Sequence, residues 1–104
     1  MLLPMCLLCF ASAALASKPS PEKGKAISVL CATCHGNMGK AVDTSYPNLT
    51  GQNYQYLVQA IENFKTGERR NSIMQSITSG LSEKQIKDVA AYYASVSVAD
   101  CKKN

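Results

Sequence analysis

Among the residues that can bind a metal or act in catalysis, histidine is the scarcest in this sequence. The 104 residues contain one, His35. Cysteine is also scarce, because two of the five cysteines lie in the apolar N-terminal run and only Cys31, Cys34 and Cys101 follow it. Three thiols are an odd number and too few for a disulfide-stabilised scaffold. A structural zinc site needs four Cys or His ligands, and this chain could supply them only by recruiting the distant Cys101. A disulfide-stabilised scaffold and a structural zinc site are therefore both disfavoured.

Charged side chains are absent from the first sixteen residues, MLLPMCLLCFASAALA. This run is too short to cross a bilayer comfortably, and it ends in Ala14-Leu15-Ala16, a small-x-small pattern that suits signal peptidase. The basic residues that normally precede such a run are missing. A retained N-terminal membrane anchor is one alternative, and a lipoprotein signal is disfavoured because Leu8-Cys9 and Met5-Cys6 lack the small residue that should precede the modified cysteine. We predict a cleaved export signal at residues 1–16 and a single domain at residues 17–104.

Alternation of apolar and polar residues, the pattern typical of strands, is also missing, whereas three segments have helical periodicity. The first follows Pro21 and ends with residues 31–35, and the second spans residues 52–67 and stops at a glycine. The third begins after Ser82, which forms a capping box with Gln85. We therefore predict an all-α domain of three main helices with short helical turns. The stripe expected to be buried on the third helix consists of Ile86, Val89, Ala90, Tyr93 and Val96.

The pentapeptide Cys31-Ala32-Thr33-Cys34-His35 has three chemical interpretations. A thioredoxin-type dithiol normally lies at a strand-to-helix junction, which this chain lacks, and a zinc site lacks ligands. Covalent haem attachment uses the whole motif. Two thiols about one helical turn apart match two neighbouring vinyl groups of the porphyrin, and the next residue can bind the iron. We therefore interpret Cys31 and Cys34 as haem-attachment residues and His35 as an iron ligand.

The second iron ligand follows by elimination. Because His35 is the one histidine, a single chain cannot supply two imidazoles, and the methionines beyond the N-terminal run are Met38 and Met74. Met38 is too close to His35 to reach the opposite face of the ring, whereas Met74 has enough chain to do so. The alternative for Met74 is an ordinary core position between Ile73 and Ile77. A thioether opposite an imidazole stabilises ferrous iron and so raises the reduction potential.

Positive charge exceeds negative charge only mildly, since eleven basic and seven acidic residues give a net charge of +4. Adjacent basic residues occur only at Arg69-Arg70 and Lys102-Lys103, which is too diffuse for a nucleic-acid-binding arm. Solubility is the ordinary explanation for this charge, and attraction to an acidic redox partner is a second one.

Five stretches occur in a characteristic order: CATCHG at 31–36, YPNLTGQ at 46–52, YLVQAIENFKTGERR at 56–70, a methionine at 74 and LSEKQIKDVAAYYAS at 81–95. In this order they resemble class I cytochromes c, especially single-domain bacterial proteins similar to cytochrome c4 halves and c-553. The resemblance covers residues 21 to about 98. It implies a class I cytochrome c fold packed around one covalently bound haem c.

The resemblance also implies roles for individual positions. Pro47 matches a proline whose carbonyl accepts a hydrogen bond from the ligand histidine and thereby orients the imidazole. Gly24 and Tyr92 match the position at which the first and last helices cross. Candidates for the pocket wall are Leu49, Tyr56 and Phe64, and candidates for binding the haem propionates are Tyr46, Gln52 and Arg69.

An iron bound by both His35 and Met74 has no position open for dioxygen or peroxide, so we expect one-electron transfer and no enzymatic activity. The resemblance implies a soluble periplasmic carrier, without a membrane span in the mature chain, between a membrane quinol-oxidising complex and an oxidase or reductase. The alternatives are a haem subunit of a larger dehydrogenase complex and, if Met74 is off the iron, a ligand-binding haem protein. We expect a monomer with Cys101 on an exposed tail, and a Cys101-linked dimer as the alternative.

Overall fold

The computed structural model of the chain describes residues 3–4 and 18–102. The predicted export signal, residues 1–16, lies outside the described residues apart from Leu3 and Pro4. Within the described ranges there is no strand, so the all-α prediction is confirmed, and no helix there has the length and apolarity needed to span a membrane. The elements are α1 (Pro21–Ile27), α2 (Val29–His35), a 3-10 turn (Asn37–Gly39), α3 (Tyr54–Thr66), α4 (Ser72–Thr78), α5 (Glu83–Ser95) and α6 (Val98–Lys102).

The predicted first helix is divided into α1 and α2 at Ser28. The Ser28 hydroxyl donates to the carbonyl of Lys25 at 2.6 Å, and a continuous helix would offer that carbonyl to the amide of Val29. The helical path is nevertheless kept, since the amide of Ser28 bonds the carbonyl of Gly24 and its carbonyl accepts from Ala32, both at 2.9 Å. Apolar periodicity does not reveal such a break, because it arises from a side chain that competes for a main-chain carbonyl.

The bounds of the two long helices follow from their capping residues. Asn53 accepts a hydrogen bond from the amide of Tyr56 at 2.9 Å at the start of α3, and Gly67 ends this helix in the left-handed conformation, with φ of 85°. Ser82 and Gln85 form both hydrogen bonds of the predicted capping box, at 3.1 Å and 2.9 Å. Helix α3 therefore begins and ends within two residues of its predicted bounds, and α5 begins directly after the predicted cap at Ser82.

The hydrophobic core lies where α5 packs against α1 and α3. All five residues of the predicted stripe on α5 are buried. Three of them, Val89, Ala90 and Tyr93, form a cluster with Leu57 of α3. The last long helix is thus the central element of the domain, as its apolar stripe predicts.

Helices α1 and α5 cross at Gly24, which is buried. A Cβ atom at this position would overlap the main-chain carbonyl of Asp88 and lie 2.9 Å from the Cβ of Tyr92. Only glycine permits so close an approach of two helix backbones. The crossing implied by the family resemblance is therefore present, and its tightest contact is with the Asp88 main chain.

The side chain of Asp88 lies beside this crossing and is only 3% exposed. Its Oδ1 accepts a hydrogen bond from the amide of Ser20 at 2.8 Å and forms an ion pair with Lys84. Burial alone would raise the pKa of Asp88. The hydrogen bonds from Lys84 and Ser20, together with the charges of Lys84 and Lys23, outweigh burial and lower the pKa below its usual value. Asp88 therefore joins the start of α1 to α5, a role that the sequence pattern did not predict.

Replacing Gly24 with alanine should lower the free energy of unfolding by about 1–3 kcal/mol, because the methyl group would force the crossing apart. The matched control is Gly80→Ala, since an added Cβ there would have no heavy atom within 4 Å. Urea denaturation of the two purified variants measures the difference. Equal destabilisation by both substitutions would contradict the importance of the crossing.

Replacing Asp88 with asparagine should destabilise the protein at pH 7 by about 1.5–3 kcal/mol, the usual range for hydrogen bonds to a charged group. Because folding lowers the pKa of this carboxyl, its contribution is complete above the ordinary aspartate pKa of about 3.9 and is lost as pH falls through the lower folded value. The difference between wild type and variant should therefore shrink in acid.

The control for Asp88→Asn is Glu83→Gln, which removes an exposed ion pair with Lys87 at 3.1 Å. Such pairs contribute little to stability, so this substitution should have a much smaller effect. Denaturation curves at several pH values test both variants. A stability difference for Asp88→Asn that stays constant with pH would show that the carboxylate charge is not responsible.

Candidate functional site

A cavity of about 300 Å³ is lined by residues of α2, α3, α4 and α5 and of the loop that follows the 3-10 turn. This volume reaches the range of about 300–1,000 Å³ typical of cofactor and ligand pockets. The structure brings all five predicted site residues to this cavity, where Cys31, Cys34, His35, Pro47 and Met74 line its wall.

His35, the last residue of α2, is 7% exposed. Its Nδ1 lies 2.9 Å from the carbonyl oxygen of Pro47. A carbonyl oxygen can only accept, so Nδ1 must carry the proton, and the lone pair of the neutral ring is then on Nε2. Tyr46 packs edge-on against the imidazole, with ring centroids 6.4 Å apart. The ring is therefore fixed in the tautomer that a metal ligand requires.

The chain reverses immediately after His35, which explains how Pro47 reaches it. Gly36 has φ of 75°, and a Cβ atom there would overlap the carbonyl of Lys40. The returning segment is fixed by a hydrogen bond from the amide of Leu49 to the carbonyl of Gly39 at 2.8 Å. Gly36 therefore permits the chain reversal that brings the Pro47 carbonyl to the imidazole and orients it.

Cys31 and Cys34 lie one turn apart on α2, and both are half-buried free thiols that line the cavity. Burial raises the pKa of Cys31, and a contact with the Tyr93 hydroxyl offsets part of this effect. Tyr93 lines the cavity, and its hydroxyl is buried without a hydrogen bond of normal geometry to any described residue. The two thiols thus present a two-point attachment site along one edge of the cavity.

Met74 reaches the cavity from α4. This helix is longer than the single turn expected, because Asn71 caps it by accepting a hydrogen bond from the amide of Met74 at 2.9 Å. The half-buried side chain of Met74 lines the cavity, whereas that of Met38 does not. Met38 lies in the turn after α2, and its carbonyl accepts a hydrogen bond from the Thr50 hydroxyl at 2.7 Å. The structure therefore places the second of the two candidate methionines at the cavity.

The remainder of the wall includes all six residues that the resemblance suggested for the pocket or the propionates. Other lining residues were not predicted from the sequence. Helical periodicity identifies apolar positions, but it does not distinguish those that face the core from those that face the pocket. Several apolar side chains at the cavity are exposed, for example Ile73 at 64% and Tyr56 at 52%. A large apolar group would cover such surface. Two thiols, an imidazole, a thioether and this apolar wall together fit a covalently attached haem. The missed lining residues include Leu30, Ala60, Ile61, Ile77 and Leu81.

Cys101 does not lie on an exposed tail, so that expectation is wrong. It belongs to α6 and is half-buried, with its sulfur 3.7 Å from the Thr50 hydroxyl and 3.9 Å from the carbonyl of Met38. Helix α6 begins at a cap in which the Ser97 hydroxyl donates to Asp100 at 2.7 Å. The chain therefore folds back over the turn that follows α2 instead of extending into solvent.

Comparison with known proteins relates most of the chain to haem proteins. Residues 21–97 match the family model described as Cytochrome c. The chain is 41% identical over 68 residues to cytochrome c-554(548) of Halomonas halodenitrificans, which covers 62% of this chain and 82% of that protein. It is 30% identical over 93 residues to the cytochrome subunit of sulfide dehydrogenase of Chlorobaculum tepidum, which covers 85% of this chain and 84% of that one.

The fold is similar to a solved structure of Acidithiobacillus ferrooxidans cytochrome c4, with a TM-score of 0.70 and 33% identity. That similarity covers 80% of this chain and 53% of the cytochrome c4 chain. Other curated relatives are also longer, and this chain spans 28% to 38% of their length.

Proposed function

The chain belongs to the cytochrome c family, and we propose that it is a periplasmic one-electron carrier whose single haem is bound by the residues of this cavity. Membership of the family implies one covalently attached c-type haem and a part in electron transfer. The observation that carries the proposal is the placement of His35 and Met74 on one cavity, with the Nδ1 of His35 bonded to Pro47.

Cys31 and Cys34 would hold the haem through thioether bonds, in which each thiol adds its sulfur and its hydrogen across one vinyl group. His35 would donate the Nε2 lone pair to the haem iron, and Met74 would supply its thioether sulfur as the second protein ligand. The bound haem supplies the Fe(II)/Fe(III) couple. The hydrogen bond to Pro47 keeps the imidazole in one tautomer and one orientation and so tunes its strength as a ligand.

The two proposed iron ligands, His35 and Met74, determine which reactions the haem could perform. With His35 and Met74 both on the iron, no coordination position is open to dioxygen or peroxide, so the protein acts as a carrier and not as an enzyme. Leu57, Ile61 and Ile77 line the cavity, and this apolar wall would exclude water from a bound cofactor. Exclusion of water and thioether ligation both favour the ferrous state.

The cellular setting completes the proposal. Residues 1–16 would direct export and be removed, and residues 17–104 would act in the periplasm as one monohaem domain. A net charge of +4 favours brief, salt-sensitive encounters with acidic surfaces of redox proteins. A quinol-oxidising complex of the membrane would be the donor, and an oxidase or reductase the acceptor.

A second candidate function is that of a haem subunit fixed to a larger dehydrogenase. Two observations favour it: the similarity to the cytochrome subunit of sulfide dehydrogenase, and the exposure of Val29 and Leu30 at 71% and 56% near the attachment residues. Gel filtration of the native protein separates the two functions. A carrier elutes with haem absorbance at the mass of one chain, whereas a subunit elutes at a larger mass together with a second polypeptide and its own cofactor.

Covalent attachment predicts that purified mature protein keeps the mass of one haem after denaturation. The double variant Cys31→Ala/Cys34→Ala should lose this mass, because it has no thiol on the cavity wall. Cys101→Ala is the matched control and should keep it. Intact mass spectrometry gives the answer, and a wild-type mass equal to that of the bare polypeptide would refute the proposal.

Ligation by Met74 predicts a ferric spectrum with the weak far-red band of methionine–iron bonding, and a ferrous protein that does not bind carbon monoxide. Met74→Ala should abolish the band and allow carbon monoxide to bind, because it opens one coordination position. Met38→Ala is the control and should leave both properties unchanged. If Met74→Ala has the wild-type spectrum, another group is the ligand.

A further inference from the structure

One buried polar atom of the described chain lacks a hydrogen-bonding partner, and it belongs to a residue of the cavity wall. Tyr93 is 1% exposed, yet its hydroxyl forms no hydrogen bond of normal geometry to any described residue. Every other buried side-chain nitrogen or oxygen of the described ranges has a partner. An unsatisfied buried hydroxyl costs free energy. A partner for the Tyr93 hydroxyl is therefore expected to form when the cavity is filled.

The position of the Tyr93 ring is fixed by its neighbours. The main-chain carbonyl of Tyr93 accepts a hydrogen bond from the amide of Gly51 at 2.9 Å. The ring packs on that of Tyr92, with centroids 5.1 Å apart, and it lies 3.0 Å from where a Cβ atom on Gly39 would be. The hydroxyl hydrogen, in contrast, rotates to suit the acceptor that it is offered. The partner must therefore come to the hydroxyl, since the ring has no room to move towards a partner.

Two polar side chains lie beside this hydroxyl, and only one of them belongs to the cavity. Burial raises the pKa of Tyr93, the Cys31 thiol raises it further, and Ser28 offsets a smaller part. Cys31 packs against the core cluster that contains Tyr93 and lines the cavity, whereas Ser28 does not line it. The Ser28 hydroxyl already donates to the carbonyl of Lys25 at 2.6 Å. The Tyr93 hydroxyl therefore stays protonated at neutral pH, and Cys31 is its neighbour at the cofactor site.

Covalent attachment would change the hydrogen-bonding character of Cys31. A free thiol is both a weak donor and a weak acceptor. When the thioether forms, the S–H bond breaks, a carbon–sulfur bond forms at one vinyl carbon, and the hydrogen goes to the other vinyl carbon. The sulfur then has lone pairs and no hydrogen, so it can only accept a hydrogen bond. The protonated Tyr93 hydroxyl is the donor that lies beside it.

We propose that the Tyr93 hydroxyl donates a hydrogen bond to the thioether sulfur of Cys31 in the haem-bound protein and thereby favours the ferrous state. This inference rests on the proposed function, because it needs the thioether. The donated hydrogen is the positive end of the hydroxyl dipole, and it would lie nearer the haem than the oxygen does. Beside an apolar wall such a dipole is screened less than at the surface. Tyr93 is thus a positioning residue that acts on the haem through the attachment sulfur.

The first test is a double-mutant cycle on the mature haem-bound protein with Tyr93→Phe and Cys31→Ala. Cys31→Ala keeps the haem attached through Cys34 but removes the proposed acceptor. In otherwise wild-type protein, Tyr93→Phe should raise the unfolding equilibrium constant about two- to tenfold, the effect of losing one neutral hydrogen bond. In the Cys31→Ala background it should leave that constant unchanged or lower it, since no sulfur then pairs with the hydroxyl. Urea denaturation measures both effects, and equal effects in the two backgrounds would overturn the inference.

The second test is the reduction potential, with Tyr92→Phe as the matched control. Tyr92 is adjacent to Tyr93 and packs on its ring, but it does not line the cavity. At a fixed electrode potential, Tyr93→Phe should lower the ratio of ferrous to ferric protein about 1.5- to threefold, because the dipole that favours Fe(II) is lost. Tyr92→Phe should leave this ratio unchanged. A spectroelectrochemical titration gives both ratios, and the same ratio for the two variants would overturn the inference.

If a variant yields no haem-bound protein, proton NMR of the ferrous wild type decides the question. Low-spin ferrous haem is diamagnetic, so the Tyr93 hydroxyl proton should give a slowly exchanging signal with a nuclear Overhauser effect to the Cys31 β protons. An effect to Ser28 instead, or no such signal, would overturn the inference. Intact mass is measured on every sample. A wild type without haem refutes the proposed function itself, whereas intact haem without coupling between Tyr93 and Cys31 refutes only the role of Tyr93.

Discussion

The hydrogen bond between His35 and the carbonyl of Pro47 is the contact on which the rest of the site depends. It fixes which nitrogen of the imidazole carries the proton, and it can form only because the chain reverses at Gly36 and returns along the cavity. On α2, Cys31 lies one turn before His35 and Cys34 directly precedes it, and all three residues line the same cavity. A local main-chain conformation that only glycine adopts easily thus determines which nitrogen of the one histidine keeps a free lone pair.

The scaffold that presents this site is stabilised by contacts remote from it. Helix α5 carries the buried stripe, packs against α3, and crosses α1 where Gly24 allows the backbones to touch. Asp88 strengthens the same crossing, since it bonds the amide of Ser20 and pairs with Lys84. Because the helical path continues from α1 into α2 through Ser28, this crossing also helps to position the segment that carries the thiols and His35. In a small domain such a crossing supports the cofactor site as well as the fold.

The different chemical groups that line the cavity come from separate helices and from the segments between them. Helix α2 supplies thiols and imidazole, α4 supplies the thioether, and the segment between α3 and α4 supplies the one guanidinium. Closure of both iron positions would limit the protein to electron exchange. Function in such a site is set by which coordination positions are filled and by the charges around them.

Much of this protein follows from its sequence. The helical periods, the capping box at Ser82 and the glycine stop at residue 67 give the three main helices, because these signals act between neighbours in the chain. The spacing in Cys31–His35 and the shortage of other ligands point to haem. The break at Ser28 comes from a local hydrogen bond that apolar periodicity does not register. Only the tertiary structure decided the burial of Asp88, the partial burial of Cys101 and the position of Arg69 at the cavity. These features depend on which side chains come into contact after the helices pack. The periodicity of apolar residues along the sequence does not indicate such contacts.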